Sequence, residues 1–397
     1  MKTNRLIYIF IAFASLVVIA GAAFGWTLLR PMIVLPDEID KDALDARYAE
    51  AVEEYKQYLA RDGIENYQLR DLLKKTKSDL GEIFDELNMI RIDCGDRLEY
   101  ALGVYDENRA IVRPYLRDYT ALVGDGLRIG SPRGALEGNW EESLDEDDPD
   151  TPHHMEMRFF LALYLFEARE AAGRGDWDGA LQQMQYALNA AQGLAETHHL
   201  LNVMMGYYHA RFAYHFVIEK LPVWPTDELD ALAEFVRRNV MDEKALEHAI
   251  LSDLIWFVEG YSRLKDAQIA ATGGDSPDLL QTIARRAMIF VVGDRELILG
   301  KALTFKLLEA IRAGEEFDFR RAYDPPIQTL IAGSVMFNLQ DTRRRVVSSA
   351  RVPGAILDAI DHEKAFRAGA GPGEYTVEFG ESNQITVNRD EGCWRIF

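Results

Sequence analysis

The sequence predicts a mainly α-helical protein. It combines an N-terminal transmembrane helix, an antiparallel helical-hairpin bundle or short irregular solenoid, and a small C-terminal antiparallel β-meander. Three observations carry this. Residues 6–29 form an uncharged apolar run. From Ile39 onward, apolar residues recur at three- and four-residue spacing, the period of one helix face. From Tyr375 to the end the period falls to two, that of a strand with one buried face.

Composition narrows the function classes. The chain has 397 residues, 48% hydrophobic and 27% charged, enough to bury a core. Its 44 Lys and Arg against 65 Asp and Glu leave a net charge of −21. That balance argues against nucleic-acid binding, which needs a cationic surface for phosphates. Two cysteines exclude a disulfide-dense scaffold and a cysteine-rich zinc module.

The first element is the apolar segment. Leu6 to Leu29 spans 24 residues without a charge. As a helix it reaches roughly 36 Å, enough to cross a hydrocarbon core of about 30 Å. Tyr8 and Trp26 lie near its two ends, where amphipathic rings favour the interfaces. Lys2 and Arg5 precede it, and Arg30 and an acidic run from Asp37 follow it. The cationic bias places the N-terminus in the cytoplasm and the bulk of the chain in the periplasm or outside the cell, anchored in the plasma (inner) membrane. Ala20-Gly21-Ala22 also fits the small-residue cleavage site of a signal peptide, whose apolar region is shorter, about 7–15 residues. Either way the remainder is exported, and its acidity keeps it off anionic lipid heads.

Pro31 to Pro36 reads as an extended stalk. Leu44, Tyr48, Ala51, Tyr55 and Leu59 mark a first helix that Gly63 ends. Leu80, Ile83, Phe84, Leu87 and Ile90 mark another. Leu98, Ala101, Leu102 and Tyr105 mark a third, and Ile111, Tyr115, Leu116 and Tyr119 a fourth. Arg128 to Pro152 is rich in Gly and Pro and carries acids from Glu141 to Asp150, the best internal boundary. Beyond it, Met157, Phe160, Leu161, Tyr164, Leu165 and Ala168 share one helix face. A turn at Gly173-Arg174-Gly175-Asp176 follows. Then Trp177, Ala180, Leu181, Met184, Ala187, Leu188 and Ala191 share another. Helices joined so tightly lie antiparallel.

Gly175-Asp176-Trp177-Asp178-Gly179-Ala180-Leu181, followed by Tyr186-Ala187-Leu188, resembles the second half of a tetratricopeptide repeat. The resemblance covers about one repeat, residues 157–191, and does not recur at the expected period of about 34 residues. It implies stacking of helical hairpins. More broadly, an N-terminal anchor, an acidic helical region and a small terminal hairpin resemble membrane-anchored proteins of the bacterial envelope, which implies no activity.

Later helices begin at Thr226-Asp227-Glu228, a cap before first-turn acids, and at Ser276-Pro277-Asp278. Pro222 and Pro225 separate helices around Trp224. The run Ala287 to Val292 is too short to span a membrane and reads as core. In the tail, Tyr375, Val377 and Phe379, then Ile385 and Val387, then Trp394 and Ile396 alternate around two turns. The chain thus divides into a cytoplasmic tip and anchor (1–30), a membrane-proximal helical region (31–127), an acidic Gly/Pro loop (128–152), a helical-hairpin domain (153–370) and a β-meander packed on it (371–397).

No catalytic, cofactor or metal motif emerges. His-Glu-x-x-His is absent, and His153, His154 and Glu156 have nothing to fix them as ligands. A calcium loop starting at Asp145 would need glycine where Asp150 stands. There is no nucleophile elbow and no phosphate-binding glycine loop. Two features remain. Cys94 and Cys393 are the only thiols and either pair, closing a long loop worth about 5 kcal/mol at most, or stay apart. Arg343, Arg344, Arg345 and Arg351 form a basic patch in an acidic chain, suited to an acidic partner segment or to neutralising the chain's own acids. The leading expectation is a single-pass membrane-anchored helical scaffold that binds a protein partner, with no cofactor. The alternatives are an envelope hydrolase with carboxylates in an interhelical cleft and an extracytoplasmic small-ligand binder. Thiol titration of the denatured, unreduced protein decides the cysteines: two free thiols dispose of the pair and none establishes it.

Overall fold

An aspartate opens the first helix. Asp40 Oδ1 accepts from the backbone N–H groups of Asp42 and Ala43 at 3.0 and 3.1 Å, satisfying donors that a helix start leaves orphaned. The computed structural model describes residues 35–59, 66–89, 96–123, 154–195, 200–241, 244–271, 294–323, 332–371, 375–379, 383–387 and 395–396. These are mainly helical. The helices are α1 (Lys41–Leu59), α2 (Asn66–Leu80), α3 (Glu82–Met89), α4 (Asp96–Val123), α5 (His154–Gly173), α6 (Trp177–Ala195), α7 (Leu200–Lys220), α8 (Leu229–Arg238), α9 (Lys244–Ala271), α10 (Asp294–Arg312), α11 (Ala332–Ala350) and α12 (Val352–Arg367). The chain divides into two compact units: Met1–Glu53 with Asp253–Gln340, and Glu54–Ser252 with Asp341–Phe397. Among the described residues no helix is long and apolar enough to cross a membrane. The segment 6–29, the acidic loop 128–152, the helix start at Ser276 and the run 287–292 lie outside the described residues.

In the first unit α10 is the buried centre. Leu299, Leu303, Leu307 and Leu308 are nearly inaccessible, as are Glu296 and Thr304. A Cβ on Gly300 would lie 2.5 Å from the Phe257 ring, so glycine sets how closely α9 and α10 approach. The start of α1 is tied to α10 by charge. Lys301 donates to Asp45 at 2.8 Å and lies over the Tyr48 ring, and Arg47 bonds Glu309 at 2.7 Å while covering Phe305. Burial, then the nearby Glu259 carboxylate, pushes the Tyr48 hydroxyl up from its ordinary pKa.

In the second unit α5 is buried almost all round. The sequence marks one apolar face, but Phe159, Ala162, Leu163 and Phe166 are as inaccessible as Phe160, Leu161 and Tyr164. The cause is contact on both sides, with α3 and α4 against one flank and α6 and α7 against the other. Stacked rings knit these layers: Phe84 on Phe159 at 4.6 Å, Tyr119 on Phe160 at 4.0 Å, and Tyr105 near Phe166 at 5.2 Å. The α5–α6 turn reverses at Gly175, whose φ of 75° suits glycine. Asp176 accepts from the Gly179 N–H at 2.9 Å, capping α6. α6 then meets α7 through small residues, since a Cβ on Gly206 would lie 2.5 Å from the Ala191 carbonyl oxygen and 2.7 Å from Ala195 Cβ.

Two local expectations need correction. The third and fourth helices of the N-terminal region are one 28-residue helix, α4, with Pro114 inside it. Its continuous buried face runs Ala101, Val104, Tyr105, Val112, Leu116 and Tyr119, whereas Ile111 is 51% exposed. Packing of that face outweighs the hydrogen bond lost at an exposed proline. Thr226 does not cap α8. It begins a 3-10 turn, Thr226–Glu228, and α8 starts at Leu229 without a side-chain cap.

The tail forms the expected meander. Strands β1 (Tyr375–Phe379), β2 (Asn383–Val387) and β3 (Arg395–Ile396) make an antiparallel sheet in the order β1-β2-β3. Val377 pairs with Ile385, and Ile385 pairs with Ile396. The sheet packs on α12, and Tyr375 donates its hydroxyl proton to the Ala359 carbonyl at 2.7 Å.

Gly206→Ala is expected to destabilise the protein by about 1–3 kcal/mol through overpacking. Gly103→Ala, where nothing lies within 4 Å of the added carbon, is expected to stabilise by up to about 1 kcal/mol through helix propensity. Urea unfolding followed by far-UV circular dichroism checks both.

Candidate functional site

A concave surface lies between α12 and β1. Its helix has an inner face, Val352, Ala355, Ile356, Ala359, Ile360 and Glu363, that is buried. Asp358, Asp361 and His362 stand on the outer face at i, i+3 and i+4, all exposed. Gly369, at φ 74°, ends the helix, with its own N–H on Phe366 O and the Ala370 N–H on Ala365 O. This glycine termination turns the chain back, and β1 returns along the helix. Tyr375 and Val377 are buried while Thr376 is exposed. The Tyr375 ring stacks on His362 at 4.6 Å. The groove left between the two elements is open to solvent, about 510 Å³ in volume, and is lined by Asp358, Asp361, His362, Thr376 and Val377.

The helix side of the groove is held by Arg367. Its Nε donates to Glu363 Oε1 at 2.6 Å. Nη1 donates to Trp224 O at 2.6 Å and Thr226 Oγ1 at 2.9 Å, and Nη2 to Leu221 O at 3.0 Å and Pro222 O at 3.1 Å. All five guanidinium N–H donors are thereby used. Glu363 is inaccessible to solvent, so the pair is a buried one. Lys364 adds an ion pair to Asp230 of α8 at 2.6 Å, which draws the Asp230 carboxyl below its ordinary pKa. Lys364 also lies 3.9 Å from Asp361, so it answers a carboxylate of the groove wall as well.

Carboxylates between helices elsewhere in the second unit face guanidinium groups. Glu167 of α5 receives a two-pronged bond from Arg113 of α4 at 2.8 and 2.9 Å and accepts from the Tyr105 hydroxyl. Burial works against the Glu167 carboxylate, but the Arg113 and Tyr105 bonds outweigh it and hold its pKa below the usual range. Glu170 binds Arg109 at 2.6 Å and also Arg174. Glu219 of α7 is likewise opposed by burial and held low by Arg169, 2.7 Å away, and by Lys220. Glu167 and Glu219, held ionised in this way, lock helices together and have no proton to donate near neutral pH.

Among the described residues no group of three or more His, Cys, Asp or Glu is placed to hold a metal ion. Cys94 and Cys393 lie outside the described residues. The arginine patch straddles the α11–α12 junction. Arg344, Arg345 and Arg351 are exposed and Arg343 is half-buried, and Arg343 and Arg345 already interact with the rest of the chain. The groove residues were not singled out by the sequence. Their helical spacing is visible there, but nothing marks them off from the many other acids until β1 lies beside them. Comparison with known protein families, with curated proteins and with solved structures finds no match.

Arg367→Ala strips a buried carboxylate of its partner and is expected to cost about 3–5 kcal/mol, read as a lower urea midpoint. The Glu167 pKa in the folded chain lies below its unfolded value of about 4.3. Its stabilisation is therefore complete above that value and lost as pH falls through the folded pKa. Glu167→Gln is expected to be less stable than the parent at pH 7, with the gap closing below about pH 4 in urea unfolding across that range.

Proposed function

We propose that the protein is a single-pass membrane-anchored helical scaffold of the cell envelope that docks a protein partner. The observation that carries this is the uncharged segment 6–29 joined to an acidic, mainly helical chain. A span of this length suits the hydrocarbon core, and the flanking cations favour export of everything after it. The exported part carries the α5–α6 hairpin, similar to a tetratricopeptide unit, extended by α7 through the close contact at Gly206. Such stacked helices support broad interaction surfaces. The α12–β1 groove supports the same reading. It is open and edged by charge, the form of a site that receives part of another chain, whereas a small-ligand site is enclosed and mostly apolar. The net charge of −21 favours a basic protein surface over nucleic acid as the partner.

The full-length chain is expected to stay with membranes through an alkaline carbonate wash, and deletion of residues 6–29 to release it. A reporter fused after Phe397 is expected to be active only in the exported compartment. Recovery of full-length protein, Met1 intact, in the soluble fraction overturns the anchor, and a reporter active in the cytoplasm reverses the topology.

A further inference from the structure

We propose that the outer side of α4 is a self-association face, on which α4 of a second copy of this chain docks antiparallel. This goes beyond the scaffold reading and does not rest on the membrane anchor.

The inner side of α4 belongs to the core of the second unit. Val104, Tyr105, Val112, Leu116 and Tyr119 are buried there, and the helix packs on α2, α3, α5 and α6. The outer side carries a second pattern. Gly103, Glu107, Ala110, Pro114, Arg117 and Ala121 follow one another at steps of four, three, four, three and four, and every one of them is exposed. That alternation is the seven-residue period of a coiled-coil seam. Tyr100, three residues before Gly103, continues the seam and is 59% exposed, and Ile111 flanks it at 51%. They are two of the five large hydrophobic side chains exposed among the described residues. Apolar exposure gathered on one helix face is the pattern of a protein contact.

Charge names the occupant. The seam holds two charged residues of opposite sign, Glu107 and Arg117. They stand about 15 Å apart along the axis, too far to meet within one helix. Neither has an opposite charge three or four positions away on α4, and neither has an ion pair among the described residues. Each lies five residues from Val112, one on either side. Gly103 and Ala121 lie nine residues from it, and Ala110 and Pro114 two. The seam is therefore its own complement when reversed. With the two helices antiparallel and level at Val112, Glu107 of each copy meets Arg117 of the other. Gly103 then faces Ala121, and Ala110 faces Pro114, so small residues oppose one another along the contact. One patch used twice about a two-fold axis is the usual form of a dimer interface. A parallel copy would set Glu107 against Glu107 and Arg117 against Arg117, and repulsion rejects that orientation.

The test is light scattering of the detergent-solubilised full-length chain over a concentration series. The parent is expected to dimerise. Glu107→Arg and Arg117→Glu, made singly, are each expected to weaken dimerisation about thirtyfold, because two attractive pairs become two repulsive ones. The two variants shift the net charge in opposite directions, so net charge does not explain a loss common to both. Glu107→Arg with Arg117→Glu in one chain restores opposite charges across the antiparallel seam and is expected to dimerise like the parent. Against a parallel copy or the surface of a different protein, the exchange would restore nothing. An equimolar mixture of the two single variants is expected to associate as the parent does, since Arg at 107 and 117 of one chain then faces Glu at 117 and 107 of the other. Far-UV circular dichroism is expected to be the same for all three variants and the parent, because both positions are exposed. A parent that stays monomeric, single variants that dimerise like the parent, or a double variant as weak as the single ones overturns the proposal.

Discussion

Five N–H donors on one guanidinium hold the last helix of this protein in place. Arg367 joins the end of α12 to the buried Glu363 and to three carbonyls and a hydroxyl of the turn around Trp224. Without that clamp the turn's carbonyls would lose their partners in a partly buried setting, where unpaired polar groups cost most. Everything on the outer side of α12 depends on it: the position of Asp358, Asp361 and His362, the line of β1, and the groove between them.

The second unit uses its many acids in two ways. Between helices, carboxylates sit against arginines, as Glu167 does with Arg113 and Glu219 with Arg169. There the ion pairs bridge neighbouring helices. They stand beside an aromatic core in which Tyr119, Phe160 and Phe159 supply the apolar burial. On the outside, Asp358 and Asp361 stand exposed on the groove wall. The same residue type is thus paired across helices on one surface and solvent-exposed on the other, and the difference lies in the neighbours supplied by other helices.

The packing also shows why small residues recur in α6 and α7. Gly206 lies against Ala191 and Ala195 so closely that any side chain would meet backbone. Close approach lets α5 be enclosed from both flanks, which accounts for an apolar circumference where the sequence shows a single marked face.

The mainly helical class, the hairpin at Gly175 and the alternating tail were all legible in the residues alone. Each rests on local physics: helix and strand periods, a positive φ that suits glycine, a side chain reaching its own backbone. Local rules also led astray where they met tertiary packing. Two helices were expected where α4 is one, because Val104, Tyr105, Val112 and Leu116 bury a continuous face. Thr226 looked like a cap, yet its hydroxyl serves Arg367, 141 positions away. The pairing of Arg367 with the Trp224 turn, the split of the chain into units discontinuous in sequence, and the groove beside β1 were decided only by the tertiary structure. Each requires residues distant along the chain to converge, and periodicity carries no information about which distant partner a side chain will meet.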